Sequence, residues 1–189
     1  MIIYVKNMIS QRCKIVVNNI LQSFGVEVKD IMIGEILLKE KVPFFKLMQV
    51  DEALKETGLE LIFDKKNQLV QQIKNIIIEI IYFSAEPQPM KFSCYLSDRL
   101  NYNYTYLAGL FKKLTGITIE HFMISQKIEK VKSLLLPGDM PLSEIAYRMN
   151  YSSVSHLSAQ FKKVTGYNAS EYKSLRINAY TDILDKIAV

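Results

Sequence analysis

The sequence predicts an α+β domain followed by an all-α domain in which two helix-turn-helix units are joined by a long helix. Patterns typical of strands and helices alternate in β-α-β-β-α-β order near the N-terminus, a long helical pattern follows, and a motif in the C-terminal half occurs twice. We therefore expect four segments: an α+β domain at 1–63, a connecting helix at 64–85, a helical domain at 86–176 and a helical tail at 177–189.

The first strand, the first helix and a hairpin follow from side-chain spacing. Residues 2–6 alternate apolar and polar side chains as a half-buried strand does, and residues 10–24 place their apolar side chains on one helical face. Gly25 then stands where a helix is expected to end. Residues 26–39 are rich in β-branched and aliphatic side chains and have Gly34 at their middle, which predicts a hairpin.

A second helix and a last strand complete this domain. Pro43 opens the helix, which runs to about Thr57, and Gly58 ends it. Residues 59–63 are predicted to form the last strand. The resulting order is that of a split β-α-β fold.

The connecting helix carries a broad apolar surface. Its apolar residues recur at steps of four and three, a seam of about two heptads, with a second stripe beside it. The seam consists of Leu69, Ile73, Ile76, Ile80 and Phe83, and the second stripe of Val70, Ile77 and Ile81. Two roles remain open for this surface: packing within the chain, or a homodimer through residues 65–84.

The boundary between the two halves is expected at residues 85–89, where Pro87 and Pro89 deny a continuous helix. The chain has a formal net charge of +5, and most of this excess lies after the boundary. A mild excess of positive charge is a weak indication of a polyanionic partner by itself.

Several classes of protein are disfavoured by what the sequence lacks. No apolar run approaches the ~18 residues of a membrane span, and no basic stretch, apolar run and cleavage site follow one another as in a signal peptide. The 2 cysteines imply no disulfide framework, so a cytoplasmic location is expected. Because no phosphate-binding loop, nucleophile motif or paired carboxylates occur, we expect neither an enzyme nor a cofactor.

An internal repeat organises the C-terminal half. Its two copies share an asparagine-tyrosine pair, a leucine and a six-residue basic motif that ends in glycine. The matching parts are Asn101-Tyr102 with Asn150-Tyr151, Leu107 with Leu157, and Phe111 to Gly116 with Phe161 to Gly166. A duplication of this size predicts two similar supersecondary units.

Each copy is expected to form a short helix, a tight polar turn and a second helix. The turn is placed at Asn101 and Asn150, because asparagine tolerates the left-handed conformation. Good N-cap residues follow, Asn103 in the first copy and Ser152 or Ser153 in the second. The second helices are expected to bury Leu107, Leu110 and Phe111 in the first copy, and Leu157 and Phe161 in the second.

The opposite face of each second helix is small, hydroxylated or aromatic, with lysines at its C-terminal end and no acidic residue. Such a surface fits a DNA major groove, where hydroxyl groups meet base edges and lysines meet phosphates. The candidate DNA-binding residues are Asn103, Tyr104, Thr105, Tyr106, Ala108, Lys112 and Lys113 in the first copy, and Ser152, Ser153, Ser155, His156, Ser158, Lys162 and Lys163 in the second.

A signature in the second copy points to one family. It runs from Ser143-Glu144-Ile145-Ala146-Tyr147-Arg148 through Tyr151, Ser155, Leu157 and Phe161-Lys162-Lys163 to Gly166 and Glu171-Tyr172-Lys173. With it, residues 92–176 resemble the DNA-binding domain of the AraC/XylS family of bacterial transcription regulators. The resemblance implies sequence-specific binding to two successive major grooves of double-stranded DNA, and a linker helix at about 119–136. It also implies RNA polymerase as a partner and an activator role.

Some positions depart from the pattern of that family. Asn150 stands where glycine is usual, and Gly109 and Ala159 stand where many members carry arginine. Bidentate guanine contacts are therefore absent at these last two positions. Direct readout is expected to depend on Tyr104, Thr105, Ser155, His156 and Ser158.

The loop before the first helix reads Met8-Ile9-Ser10-Gln11-Arg12-Cys13. With the β-α-β-β-α-β order, it resembles the ferredoxin-like heavy-metal-associated domain, whose Met-x-Cys-x-x-Cys loop clamps a soft metal ion between two thiolates. Here the Ser10 hydroxyl replaces the first thiolate and is a poor ligand, so we expect no metal site; Cys13 is the remaining candidate ligand, and its apolar position favours a core role. The alternative function is a metal-handling or protein-interaction module in which DNA binding is secondary.

Overall fold

The computed structural model describes residues 1–83, 90–136 and 140–175, which fall into two compact units. The first unit comprises Met1–Ile77 with Leu96–Gly116, and the second comprises Ile78–Tyr95 with Ile117–Val189. Three predictions fall outside the described residues: the boundary at 85–89, the end of the connecting helix at Ser84, and the helical tail at 177–189.

A four-stranded sheet and two helices form the N-terminal part of the first unit. In chain order the elements are β1 (Ile2–Lys6), α1 (Gln11–Ser23), β2 (Val28–Met32), β3 (Glu35–Leu38), α2 (Phe44–Lys55) and β4 (Glu60–Leu61). The strands lie in the order β2-β3-β1-β4, and each neighbouring pair is antiparallel. The hairpin predicted around Gly34 is confirmed as β2 and β3, with Gly34 at φ 74°, a left-handed conformation that favours glycine.

Apolar side chains of the sheet and of both helices fill the core of this part. Its fully buried members include Val5, Val17, Leu21, Ile36, Val50 and Leu54, and Cys13 packs against their cluster. One buried charge holds the last strand: the Asp51 carboxylate accepts the backbone N–H of Leu61 at 2.7 Å and contacts Lys55 Nζ at 2.6 Å. Because a buried carboxylate needs such partners, Asp51 fixes β4 to α2.

The connecting helix is α3, Lys65–Tyr82, and most of its apolar surface is buried within the chain. The second stripe is buried throughout, and in the seam Ile73 is 0% exposed whereas Phe83 is 63% exposed. The middle of α3 lies so close to the hairpin that a Cβ added at Gly34 would meet Asn75 Oδ1 at 2.6 Å. Packing within the chain therefore accounts for most of this apolar surface. The homodimer remains a prediction, and the buried side chains of α3 give it no support.

The remaining described residues are helical. The elements are α4 (Phe92–Leu100), α5 (Tyr104–Thr115), α6 (Ile119–Leu135), α7 (Leu142–Arg148) and α8 (Val154–Thr165), with a further helical stretch at 169–175. In the second unit, α6 is the linker helix that the resemblance implied, and it shares a core with α7 and α8 in which Ile128, Val131 and Ile145 are fully buried. Among the described residues, none of the helices combines the length and apolar character needed to cross a membrane.

Candidate nucleic-acid interface

Both predicted turns have the geometry of a helix-turn-helix unit. Asn101, between α4 and α5, has φ 56°, and Asn150, between α7 and α8, has φ 55°. Asparagine adopts this left-handed conformation more readily than other residues with a Cβ, so it ends one helix and redirects the chain into the next. From here on, the first unit is the helix-turn-helix unit of α4 and α5, and the second unit is that of α7 and α8. In the second unit the turn is closed by a 2.9 Å hydrogen bond from the Tyr151 backbone N–H to the Ala146 carbonyl. The prediction of turns at these two asparagines is confirmed.

The caps of α5 and α8 match each other as well. The Asn103 side chain accepts the Thr105 backbone N–H at 2.8 Å, and Ser153 Oγ accepts the His156 backbone N–H at 3.1 Å. Each helix ends at a glycine in the left-handed conformation, at φ 79° for Gly116 and φ 81° for Gly166. The predicted N-cap Asn103 is therefore confirmed, and Ser153 rather than Ser152 caps the second helix.

One face of each second helix is buried and the other is open to solvent. The helices bury Leu107, Leu110 and Phe111 in α5, and Leu157 and Phe161 in α8, as predicted. Exposed candidates are Asn103, Thr105, Tyr106, Lys112 and Lys113 in the first unit, and Ser152, Ser153, Ser155, His156, Lys162 and Lys163 in the second; Tyr104, Ala108 and Ser158 are half-buried. Polar and aromatic groups lie at the N-terminal end of each helix and lysines in its last turn, and neither helix has an acidic residue in its first turn.

A ring pair flanks the start of each of these helices. In the first unit Tyr102 and Tyr106 are stacked, with ring centres 5.5 Å apart and planes 26° apart. In the second unit Tyr151 and His156 meet edge to face, with centres 5.3 Å apart and planes 84° apart. The two units therefore share a backbone design and differ in the rings that they present.

A lysine of the linker helix supports the second turn. Lys127 Nζ donates to the Met149 carbonyl oxygen at 2.8 Å and lies 5.2 Å from the centre of the Tyr151 ring. The Tyr151 hydroxyl in turn donates to Gln160 Oε1 at 2.7 Å, and Ser152 Oγ is 3.1 Å from His156 Nδ1. Burial lowers the pKa of Lys127 and raises the pKa of Tyr151 to about 12. These contacts connect α6 to the start of α8.

The contacts that support the second turn were not predicted from the sequence. Lys127, Tyr151 and Gln160 were not among the candidate DNA-binding residues. A signal was available: Lys127 stands three residues after Ile124 and four before Val131, on the apolar side of α6. A lysine at such a position must find an acceptor for its ammonium group. The acceptor itself could not be inferred from the sequence.

The loop that resembles a metal-binding motif contains one thiol. Ser10 caps α1 and accepts the Cys13 backbone N–H at 3.4 Å, and Ser10 Oγ lies 3.2 Å from Cys13 Sγ. The hydrogen bond with Ser10 lowers the pKa of the Cys13 thiol. Within the described residues there is no group of three or more His, Cys, Asp or Glu side chains that could hold a metal ion.

The two repeated units define a helix-turn-helix protein, and comparisons with known proteins agree. A family model described as a helix-turn-helix domain matches residues 96–174. A helix-turn-helix-type transcriptional regulator from the 5′ region of cgkA in Pseudoalteromonas carrageenovora is 30% identical over 130 residues, covering 68% of this chain and 72% of that protein. The regulator YtdP of Bacillus subtilis strain 168 is 28% identical over 153 residues, 79% of this chain and 20% of that protein.

A solved structure agrees with these relatives. The C-terminal domain of AraT, a response regulator from Geobacillus stearothermophilus, has a TM-score of 0.50 and 25% identity, covering 59% of this chain and 88% of that domain. The chain belongs to the AraC/XylS family of helix-turn-helix transcriptional regulators. It spans 20% of the length of YtdP and 37% of the length of the melibiose operon regulatory protein of Escherichia coli K12.

Proposed function

We propose that this protein binds double-stranded DNA in a sequence-specific way and regulates transcription, with α5 and α8 as recognition helices in two successive major grooves. One observation carries the proposal, namely that the two units are built alike. Each has a left-handed asparagine turn, a side-chain N-cap on its second helix and two exposed lysines in the last turn of that helix. A helix-turn-helix unit presents the N-terminal end of its second helix to base edges. That end is open to solvent in both units.

The contacts divide by chemistry along each helix. Lys112, Lys113, Lys162 and Lys163 lie in the last turns, where an ammonium group suits phosphates and carries no sequence information. Thr105 and Ser155 occupy equivalent exposed positions near the N-caps, where a hydroxyl group suits base edges. Affinity and sequence preference should therefore depend on different residues.

Selection of bound duplexes from a random pool, followed by footprinting of a selected duplex, tests the proposal. Two helices in successive major grooves on one face of the duplex should protect half-sites about one helical turn, ~10.5 base pairs, apart. A single protected stretch of about four base pairs would contradict the two-groove arrangement. A chain that enriches no sequence at all would contradict DNA recognition itself.

For the N-terminal part we propose a ferredoxin-like module like that of heavy-metal-associated domains, with segment limits at 1–63, 64–85 and 86–176. The strand order β2-β3-β1-β4 and the β-α-β-β-α-β element order support this. Its proposed role is sensory or protein contact, because Ser10 stands at the first thiolate position. Titration of the full chain with Cu(I) tests this, since stoichiometric binding that a Cys13→Ser variant loses would support metal handling instead.

The partners and the location follow from the proposed function and the family. RNA polymerase is the proposed protein partner, with activation as the role, and the cytoplasm is the location because the DNA lies there. A homodimer through residues 65–84 would have to use side chains that this segment leaves exposed, and these include Phe83, directly after α3. Pairing would raise operator affinity through effective concentration.

A further inference from the structure

Two tyrosines form an exposed stack at the start of α5. Tyr102 precedes the N-cap Asn103 and Tyr106 lies in the first turn, and their ring centres are 5.5 Å apart with planes 26° apart. Their exposed fractions are 49% for Tyr102 and 47% for Tyr106. The pair is thus a flat, partly apolar surface at the helix end that meets base edges in a helix-turn-helix complex.

The equivalent tyrosine of the second unit is used differently. Tyr151 is half-buried, its hydroxyl is bonded to Gln160 Oε1 at 2.7 Å, and Lys127 Nζ lies 5.2 Å from the centre of its ring. It is therefore held by the protein itself. In the first unit the corresponding tyrosine stacks on a second tyrosine and remains half exposed. This contrast indicates that the first pair has a role that the second lacks.

The rest of the exposed face of α5 cannot form the usual bidentate base contacts. Thr105 offers one hydroxyl, Ala108 a methyl group, and Gly109 nothing, with open space where its Cβ would stand. Asn103 is exposed, but its Oδ1 is already used to accept the Thr105 backbone N–H. Bidentate recognition of guanine or adenine needs arginine, lysine, asparagine or glutamine. Lys112 and Lys113 lie in the last turn, away from that end of the helix. The groups left for reading bases there are mainly aromatic and apolar.

We propose that the Tyr102–Tyr106 stack is a thymine-reading surface, whose ring faces contact the C5 methyl groups of thymines in the half-site bound by α5. The C5 methyl is the apolar group that a base pair presents in the major groove, and aromatic side chains contact it. The inference rests on the proposed DNA binding and adds Tyr102 to its contact residues. It also assigns different chemistry to the two units: methyl contacts in the first and hydroxyl and imidazole hydrogen bonds in the second.

The test changes the DNA and leaves the protein intact. The full chain is used to select duplexes from two random pools, one made with thymidine and one with deoxyuridine, which differs only by lacking the C5 methyl. We expect a bipartite site from the first pool and the loss of one thymine-rich half-site from the second. Single thymidine-to-deoxyuridine replacements in that half-site should weaken binding about fourfold each, the ratio that corresponds to about 0.8 kcal/mol for one buried carbon group.

Protein variants connect the methyl effect to the stack. A Tyr102→Ala, Tyr106→Ala double variant should bind thymidine and deoxyuridine duplexes equally, whereas Tyr106→Phe should keep the difference because it keeps the ring. Tyr151→Phe is the matched control in the second unit and should keep it too.

The outcomes separate this inference from the proposed function. Enrichment of the same bipartite site from both pools, with equal affinity at every replaced position, overturns thymine reading and leaves DNA recognition standing. Loss of binding in Tyr106→Phe without any deoxyuridine effect also overturns it, because the hydroxyl group would then be making a phosphate contact. Failure to enrich any sequence from either pool contradicts both.

Discussion

Lys127 Nζ donates a 2.8 Å hydrogen bond to the backbone carbonyl of Met149, 22 residues later in the chain. Met149 is the C-cap of α7, so the ammonium group of the linker helix satisfies a carbonyl at the helix end, where no intrahelical donor is available. The next residue is the left-handed Asn150, and after it Tyr151 lies beneath the same ammonium group. The linker helix therefore contacts the turn that leads from α7 into α8.

Replacing Lys127 with methionine keeps the apolar stem and removes the donor. We expect the free energy of unfolding of the second unit to fall by about 1–3 kcal/mol, because the Met149 carbonyl would be left without its partner. Amide hydrogen exchange should show the loss of protection in α7 and α8. Lys127→Arg, which keeps a donor, is the control. Equal protection in wild type and Lys127→Met would show that water replaces the lysine at no cost.

The contribution of Tyr151 to stability should depend on pH in the alkaline range. Burial raises the pKa of Tyr151 to about 12, above the value of about 10 in an unfolded chain. Because the protonated phenol is favoured in the folded state, its contribution is fully present below pH ~10 and is lost as the pH rises through ~12. Burial lowers the pKa of Lys127, so the folded state favours its neutral form. Its contribution to stability therefore increases as the pH rises, in the opposite direction to that of Tyr151.

A Tyr151→Phe variant isolates this effect. The difference in unfolding free energy between wild type and variant should be about 0.5–1.5 kcal/mol near neutral pH, from the lost bond to Gln160, and should shrink above pH ~10. Urea denaturation at a series of pH values measures it. A difference that stayed constant to pH ~12 would contradict a raised pKa.

Local features of the site could be predicted from the sequence. Local backbone preferences within a few residues determine the turns at Asn101 and Asn150, the N-cap Asn103, and the glycines that end α5 and α8. The hairpin at Gly34 belongs to the same class, because its turn needs a positive φ. Repetition of the motif added weight to each of these assignments.

Contacts between distant segments could not be predicted in this way. Periodicity placed Lys127 on α6 but could not supply the Met149 carbonyl as its acceptor. It also identified the apolar stripes of α3 without showing that the chain itself buries Ile73 and Ile77. Such pairings depend on how elements pack in three dimensions, which spacing along one helix does not encode.

The lysines of the last turns should affect all DNA sequences alike. Lys112→Ala or Lys163→Ala should weaken binding to selected and unrelated duplexes by the same factor, and reduce the slope of log affinity against log salt by about 1. Fluorescence anisotropy at four or more salt concentrations gives this slope. Lys29→Ala, in the strand β2, is the matched control and should leave it unchanged. A change in base preference instead would place these lysines at base edges.

The hydroxyl groups near the N-caps should affect base preference. Replacing Thr105 or Ser155 with alanine should relax discrimination by about 1–3 kcal/mol at one position of the corresponding half-site. Binding to unrelated duplexes should change little, because phosphate contacts remain. A panel of single-base variants of the selected duplex measures this. Uniform weakening across the panel would assign the hydroxyl groups to the backbone.

Acidic substitutions in the connecting segment should have two different effects, depending on whether the replaced side chain is buried or exposed. Ile73 is fully buried, so Ile73→Glu should lower the free energy of unfolding by about 3 kcal/mol or more, whatever the oligomeric state. Phe83 is 63% exposed, so Phe83→Glu should keep the fold and lower only the dimer fraction that we predict for the full chain. Sedimentation with and without a selected duplex, together with urea denaturation of each variant, separates the two effects. A wild-type chain that stays monomeric at tens of micromolar in both conditions contradicts the homodimer, and the buried stripes of α3 would then serve the folded chain alone.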